Sequence, residues 1–378
     1  MNQSMPIRVA QLGLTLLSLY SATSWANTAY VANSTDGTVS AINTATNTVT
    51  GPAIIVGNEP TGVAITPNGK TAYVTNQSDG TISIINTANN TVTSAINLGI
   101  GSNPEGIAIT PDGKTAYVAE SGYGSVAVIN TATNTLASPI TVGSTPSIVV
   151  VAADGKTAYV TNSSSDTVSV IDTASNTVTS SIHVGSQPIG IAIAPDGKTA
   201  YVSNFTDDNI SVIDTATNTI KASITVGKYS IGLAITPDGK TAYASNFISG
   251  YVVVIDTATN TVKTSVLVGG DVIGIAITPD GKSAYVASEN NIDVSVIDTG
   301  TNTVSANIEV GIGPTYLAIT PSSNNSCPAV VFAPVIPPAS CTGTIIIPQV
   351  ESSGGGAIGL LTSCLLLPAV WLRRRRRR

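Results

Sequence analysis

The chain of 378 residues holds a single histidine, and aromatic residues make up only 4% of it. One histidine excludes a multi-histidine metal centre, and it excludes a Ser/His/Asp triad anywhere except around His183. There is no Cys-x-x-Cys-His run, which excludes covalent haem attachment of that type. Arginine is missing from the whole interior, because every arginine is either Arg8 or one of Arg373 to Arg378. Without those ends the chain carries nine lysines against 22 acidic residues. Recognition of nucleic-acid phosphates relies on Arg and Lys patches and counterion release, so nucleic acid is excluded as an expected partner.

What the chain does have is a period. Tyr30, Tyr73, Tyr117, Tyr159, Tyr201, Tyr243 and Tyr285 follow one another at intervals of 42 to 44 residues. A repeat of that length containing several short strands is the signature of propeller blades, each a sheet that cannot bury its faces without neighbours.

The unit around Tyr201 shows the pattern. It has four short runs rich in Val, Ile, Thr and Ala, punctuated by Pro195-Asp-Gly-Lys198 and Thr215-Ala-Thr-Asn218. Such runs read as strands, here named a to d in chain order, joined by hairpins. In the a-to-b turn, proline presets φ, aspartate bonds its own backbone and glycine takes positive φ. The recurring acids and lysines of this turn at Pro111, Pro195, Pro237 and Pro279 are therefore read as turn chemistry rather than catalysis. Gly62, Gly106, Gly190, Gly232 and Gly274 mark the start of strand a, where backbones crowd near a central axis. The repeated tyrosine is read as a blade-to-blade packing residue with its hydroxyl bonded.

Strands a and b each occur seven times, yet the repeats begin on strand b at Thr28 and end on strand a at Tyr316 to Thr320. This offset predicts an all-β, seven-bladed β-propeller of four-stranded antiparallel blades. The N-terminal strands b, c and d accept the C-terminal strand a and close the ring, leaving only short sheet edges.

Tyr73-Val-Thr-Asn76 and Tyr159-Val-Thr-Asn162, with their flanking Pro-Asp-Gly-Lys-Thr-Ala and Val-Ser-Val-Ile-Asp-Thr runs, resemble the repeat of the YVTN-family β-propellers. The resemblance covers residues 28–321. It implies an exported or surface-bound seven-bladed propeller, and the wider superfamily includes lactonase-like propellers, DNA-binding propellers and subunits of redox enzymes.

The ends read as an address. Residues 1–26 carry Arg8, an apolar stretch from Val9 to Tyr20 and the small residues of Ser24-Trp-Ala26, the pattern of a secretory signal peptide. Residues 27–321 form the propeller, and 322–353 a Pro/Ser-rich linker in which Val330 to Ala333 could add an edge strand. Residues 354–378 are a sorting signal or membrane anchor. The glycines ending at Gly356, the short apolar run from Ala357 to Leu372 and the terminal arginines resemble a GlyGly-CTERM signal of Gram-negative bacteria. Sixteen apolar-rich residues are short for a span, which favours removal over retention and limits membrane contact to the unprocessed tail. Its removal takes Cys364 and leaves Cys327 and Cys341 as a pair able to form a disulfide in an exported protein.

His183 falls on an outer strand at a position that elsewhere holds Asn97, Thr141, Thr225, Leu267 or Glu309, a tolerant and solvated slot. Off-pattern residues concentrate instead on the face of the b-to-c and d-to-a loops, around the channel: Tyr123, Phe205, Asp207, Asp208, Tyr229, Phe247, Tyr251, Asp271 and Glu289. These make a candidate binding face for a protein segment, a glycan or Ca²⁺. The expectation is a non-catalytic binding scaffold at the cell envelope that needs no cofactor. One alternative is a lactonase-like hydrolase with Glu59, Glu105 and Asp271 on a divalent metal, and another is a structural envelope component.

Overall fold

The computed structural model describes residues 27–227 and 229–321. The predicted signal peptide, linker, Cys327–Cys341 pair and C-terminal tail lie outside the described residues. Seven antiparallel sheets stand around a central channel, as the period predicts. Among the described residues the one helical element is a short 3-10 turn, Glu289–Asn291, and no helix is long and apolar enough to cross a membrane.

Blade one is built from both ends of the repeat region. Its innermost strand a is Pro314–Ile319, which pairs with strand b, Thr28–Asn33, in the register Tyr30 to Ala318 and Val31 to Leu317. The junction is tied further by Thr28, whose N–H donates to Thr320 Oγ1 at 2.9 Å and whose carbonyl accepts the Thr320 N–H at 2.9 Å. Blades two to seven follow in chain order, with strands a beginning at Pro60, Pro104, Pro146, Pro188, Ser230 and Val272. Strand a thus starts two residues before the glycine that announced it in the sequence.

Two blades depart from four simple strands. In blades one and three strand d is broken, into Thr48–Val49 with Ile54–Ile55 and into Thr135–Leu136 with Ile140–Thr141. Pro52 and Pro139 stand in the gaps, and a proline has no N–H to give to the ladder. Intact outer strands bury little: Thr219–Thr225 encloses only Ile224 fully. His183 is exposed at the end of its strand d, as expected.

The core lies between blades. Strand b contributes a fully buried Ala-Tyr-Val or Ala-Tyr-Ala segment, and small residues let neighbouring sheets approach closely. Each tyrosine crosses to the next blade, where its hydroxyl donates to the asparagine of the c-to-d turn: Tyr30 to Asn90 at 2.7 Å, Tyr201 to Asn260 at 2.9 Å, Tyr243 to Asn302 at 2.8 Å. Those asparagines all have positive φ, between 53° and 55°. Burial pushes the phenols of Tyr30, Tyr243 and Tyr285 up to about 12, so they remain donors at neutral pH. Near the axis the limit is steric: a Cβ on Gly190 would stand 1.9 Å from the carbonyl oxygen of Ile231 in the next blade.

The turn reading holds at atomic level. Asp112 accepts from Thr110 Oγ1 at 2.6 Å and from the Lys114 N–H at 3.1 Å, and these bonds hold its carboxyl below the usual range. Asp214 does the same for the N–H groups of Ala216 and Thr217 in a c-to-d turn.

Candidate functional site

Three rings of equivalent positions shape the channel mouth on the loop face. Directly after strand b stand Ser34, Gln77, Ser121, Ser163, Phe205, Phe247 and Glu289 in blades one to seven. From blades two to seven their N–H groups donate to the residues that precede strand a in the same blade, as Phe205 does to Gln187 and Phe247 to Tyr229, both at 2.9 Å. The second residue of strand a forms another ring: Thr315, Thr61, Glu105, Ser147, Ile189, Ile231 and Ile273. Both rings are polar through blades one to four; the strand-a ring is isoleucine in blades five to seven, whereas the ring after strand b is phenylalanine in blades five and six and returns to an acid, Glu289, in blade seven. The mouth is therefore two-sided, hydroxyls, Gln77 and Glu105 on one side, the phenylalanines of blades five and six with three isoleucines on the other, bordered by Glu289.

One column below, the glycine of strand a occurs in five blades and is replaced by Ile148 and Tyr316 in the other two. Beneath it, Val63, Ile107, Val149, Ile191, Leu233, Ile275 and Leu317 line the wall, with Tyr316, of a channel cavity of about 220 Å³. The backbone glycines give the cavity its width, and Tyr316 fills part of it.

Glu105 is the acid at this entrance. Burial pushes its carboxyl above the usual range, and hydrogen bonds from Ser121 and Ser147 oppose that only in part. Gln77 Nε2 donates to Glu105 Oε1 at 3.4 Å, and Thr75 Oγ1 holds the Glu105 carbonyl at 2.6 Å, fixing the backbone from the neighbouring blade. The Tyr316 phenol is pushed up, first by burial and then by the Glu105 charge, and stays protonated. A carboxylate poised above its ordinary range, at the rim of an apolar cavity whose wall includes a neutral phenol, is equipped for proton transfer.

The residues singled out from sequence fall into separate places. Phe205, Tyr229 and Phe247 come together: the Tyr229 N–H donates to Phe205 O at 2.9 Å, and the rings of Phe205 and Tyr229 meet edge to face at 5.2 Å. Tyr251 lies on the outer rim of blade six opposite Leu267, both exposed. Tyr123 leans on the loop before blade three, donating to Ile100 O at 2.9 Å. Asp207 is occupied structurally, accepting the Ser186 N–H at 2.8 Å, whereas Asp208 is exposed. Asp271 accepts from Asn290 Nδ2, and the Glu289 N–H donates to Asp271 O at 3.0 Å. Burial and the Asp271 charge push the Glu289 carboxyl up.

The three acids of the metal-binding alternative do not form one ligand set among the described residues. Glu59 pairs with Ser78, Glu105 with Gln77 and Asp271 with Asn290, three separate settings. Among the described residues no group of three or more His, Cys, Asp or Glu is placed to hold a metal ion.

Gln77, Ser121, Ser147 and Tyr316 were not singled out from sequence. Their signal was present in the repeat columns: Tyr316 stands where five blades have glycine, and Glu105 where others have a hydroxyl or isoleucine. Glu120 is a second departure, replacing the asparagine of Asn76 and Asn162 at the end of strand b. Its buried carboxyl accepts from Ser125 Oγ at 2.7 Å and is pushed up by burial.

A family model described as lactonase, seven-bladed β-propeller, matches residues 20–270. No curated relative matches the chain. Among solved structures the chain is similar to a hydrazine synthase of Kuenenia stuttgartiensis, at 24% identity over 71% of this chain and 94% of that one, with a TM-score of 0.62. It is similar to a functionally unknown protein from Desulfotomaculum acetoxidans at 18% identity, covering 78% and 99%, with a TM-score of 0.69. It is also similar to the dihydro-heme d1 dehydrogenase NirN, at 14% identity over 79% and 75%, with a TM-score of 0.59. At these identities the solved structures speak for the fold. The family match overturns the expectation of a non-catalytic scaffold, which rested on a thin inventory of histidine and arginine. An enzyme can act with other groups.

Proposed function

We infer that this chain, which belongs to the lactonase family of seven-bladed β-propellers, is a lactonase-like hydrolase acting at the channel mouth with Glu105 as general base. The family match carries this reading, and Glu105 with Tyr316 supplies the chemistry on this chain.

In the step proposed, the Glu105 carboxylate takes a proton from water as the oxygen adds to the lactone carbonyl carbon. The neutral phenol of Tyr316 donates to the carbonyl oxygen as negative charge develops there. Collapse of the tetrahedral adduct breaks the ring C–O bond. The departing alkoxide recovers the proton from Glu105, and the product is the open hydroxy acid. Gln77 Nε2 holds one oxygen of the Glu105 carboxylate, and Ser121 and Ser147 favour its ionised form.

The test is ring opening of a simple lactone by the purified full chain, followed by proton release at constant pH. Glu105→Gln is expected to lower kcat by about 10² to 10⁴ while melting at the wild-type temperature. Unchanged turnover in that variant would remove Glu105 from the reaction.

A further inference from the structure

We propose, resting on the hydrolase reading above, that the substrate is an uncharged lactone carrying an apolar substituent. The argument begins with space. Ligand pockets usually measure about 300 to 1,000 Å³, whereas the channel cavity is about 220 Å³ and is partly filled by Tyr316. A small ring fits there, one residue below Glu105, whose neighbour Gly106 lines the wall. Anything attached to the ring must then lie across the mouth.

The mouth offers one apolar direction for it. Opposite the serines and Glu105, blades five and six present Phe205, Tyr229 and Phe247, held together by backbone hydrogen bonds and by the edge-to-face contact of Phe205 with Tyr229. Ile189, Ile231 and Ile273 occupy the Glu105 position in blades five to seven. An alkyl or acyl chain running from Glu105 toward these residues exchanges water for hydrocarbon, and a polar chain gains nothing there.

Charge narrows the class further. The acids of the loop face include Glu59, Asp79, Glu105, Asp271 and Glu289, whereas the described lysines stand on the opposite turns or the outer strands. In sequence Lys228 is the one lysine in a loop-face link. A phosphate or carboxylate on the substrate would enter a negative field with no cation beside Glu105 among the described residues.

The experiment uses the full chain with γ-butyrolactones bearing hydrogen, butyl, hexyl or a carboxylate-ended chain, and the matched γ-lactams, which resist hydrolysis. Calorimetry of the lactams is expected to show affinity rising on the order of threefold per methylene, with a negative heat-capacity change. The carboxylate-ended lactam is expected to lose that gain and to recover part of it in salt. Phe205→Ser with Phe247→Ser, which installs the residue found at Ser34, Ser121 and Ser163, is expected to flatten the series. Phe205→Leu with Phe247→Leu is expected to retain it, which separates lost apolar contact from damage to the fold.

Lactones opened with no dependence on chain length would overturn this inference and leave the hydrolase reading standing. Lactams bound with the expected gain, but no lactone opened, would sustain the recognition surface and overturn the hydrolase reading. Failure of every lactam to bind would overturn the inference outright.

Discussion

The phenol of Tyr285 in blade seven donates to the side chain of Asn47 in blade one, 238 residues earlier in the chain, and also to Thr44 O at 3.2 Å. The bond repeats at every junction, so the same contact that joins adjacent blades also closes the ring.

Asn302 separates the two parts of that contact, its acceptor and its backbone at φ 55°. Asn302→Gly keeps the left-handed conformation and loses the bond from Tyr243, an expected cost of about 1 kcal/mol. Asn302→Ala is expected to cost about 1 kcal/mol more, because Cβ disfavours that conformation. Urea midpoints measure both, and equal midpoints would show that the backbone contributes nothing.

Gly190 tests the crowding at the axis. Gly190→Ala must move either its own strand or Ile231, and it is expected to destabilise the ring by about 3 kcal/mol. A change under about 0.5 kcal/mol in chemical denaturation would mean that the blades separate easily.

Glu120 makes stability depend on pH. Its pKa is raised in the folded state, so its favourable contribution is complete below the unfolded carboxylate range and is lost as pH rises through the folded value. Glu120→Gln removes the buried charge. The variant is expected to match the wild type near pH 4 and to melt at a higher temperature near pH 8. A melting difference that does not grow with pH would contradict the assignment.

Glu105 gives the activity its own pH dependence. The base form acts, and burial raises the pKa, so kcat/KM is expected to rise with pH through a limb above the ordinary carboxylate range and then level off. Ser147→Ala removes a hydrogen bond that favours the ionised form, and it is expected to move that limb to higher pH. A limb that stays in place would release Ser147 from this role.

The ends of the chain carry the proposal of export and tail removal, and intact mass decides it. A secreted product ending near Gly356 is the expected result, whereas one still bearing Arg373 to Arg378 would contradict processing.

The period, the strands and the closure were legible in the chain because each rests on local chemistry. Pro-Asp-Gly turns, alternating Val and Ile runs and the start on strand b already specify seven antiparallel sheets. The broken strands d were not read from the chain, because the repeat averaged over Pro52 and Pro139, which cannot donate to a ladder. The acids were harder to judge. Asp207 and Glu105 look alike in sequence, but one caps the Ser186 N–H and the other stands half-buried with Gln77, Ser121 and Ser147.

The sequence alone therefore determined a ring of repeated blades, because turns and strand patterns act over a few residues. Only the tertiary structure decided that Glu105 and Tyr316, far apart in the chain, share one channel mouth, and that its polar half faces an apolar one. The physical reason is that closing the ring superimposes equivalent positions of every blade around a single axis. Small departures scattered along the sequence thereby become neighbours.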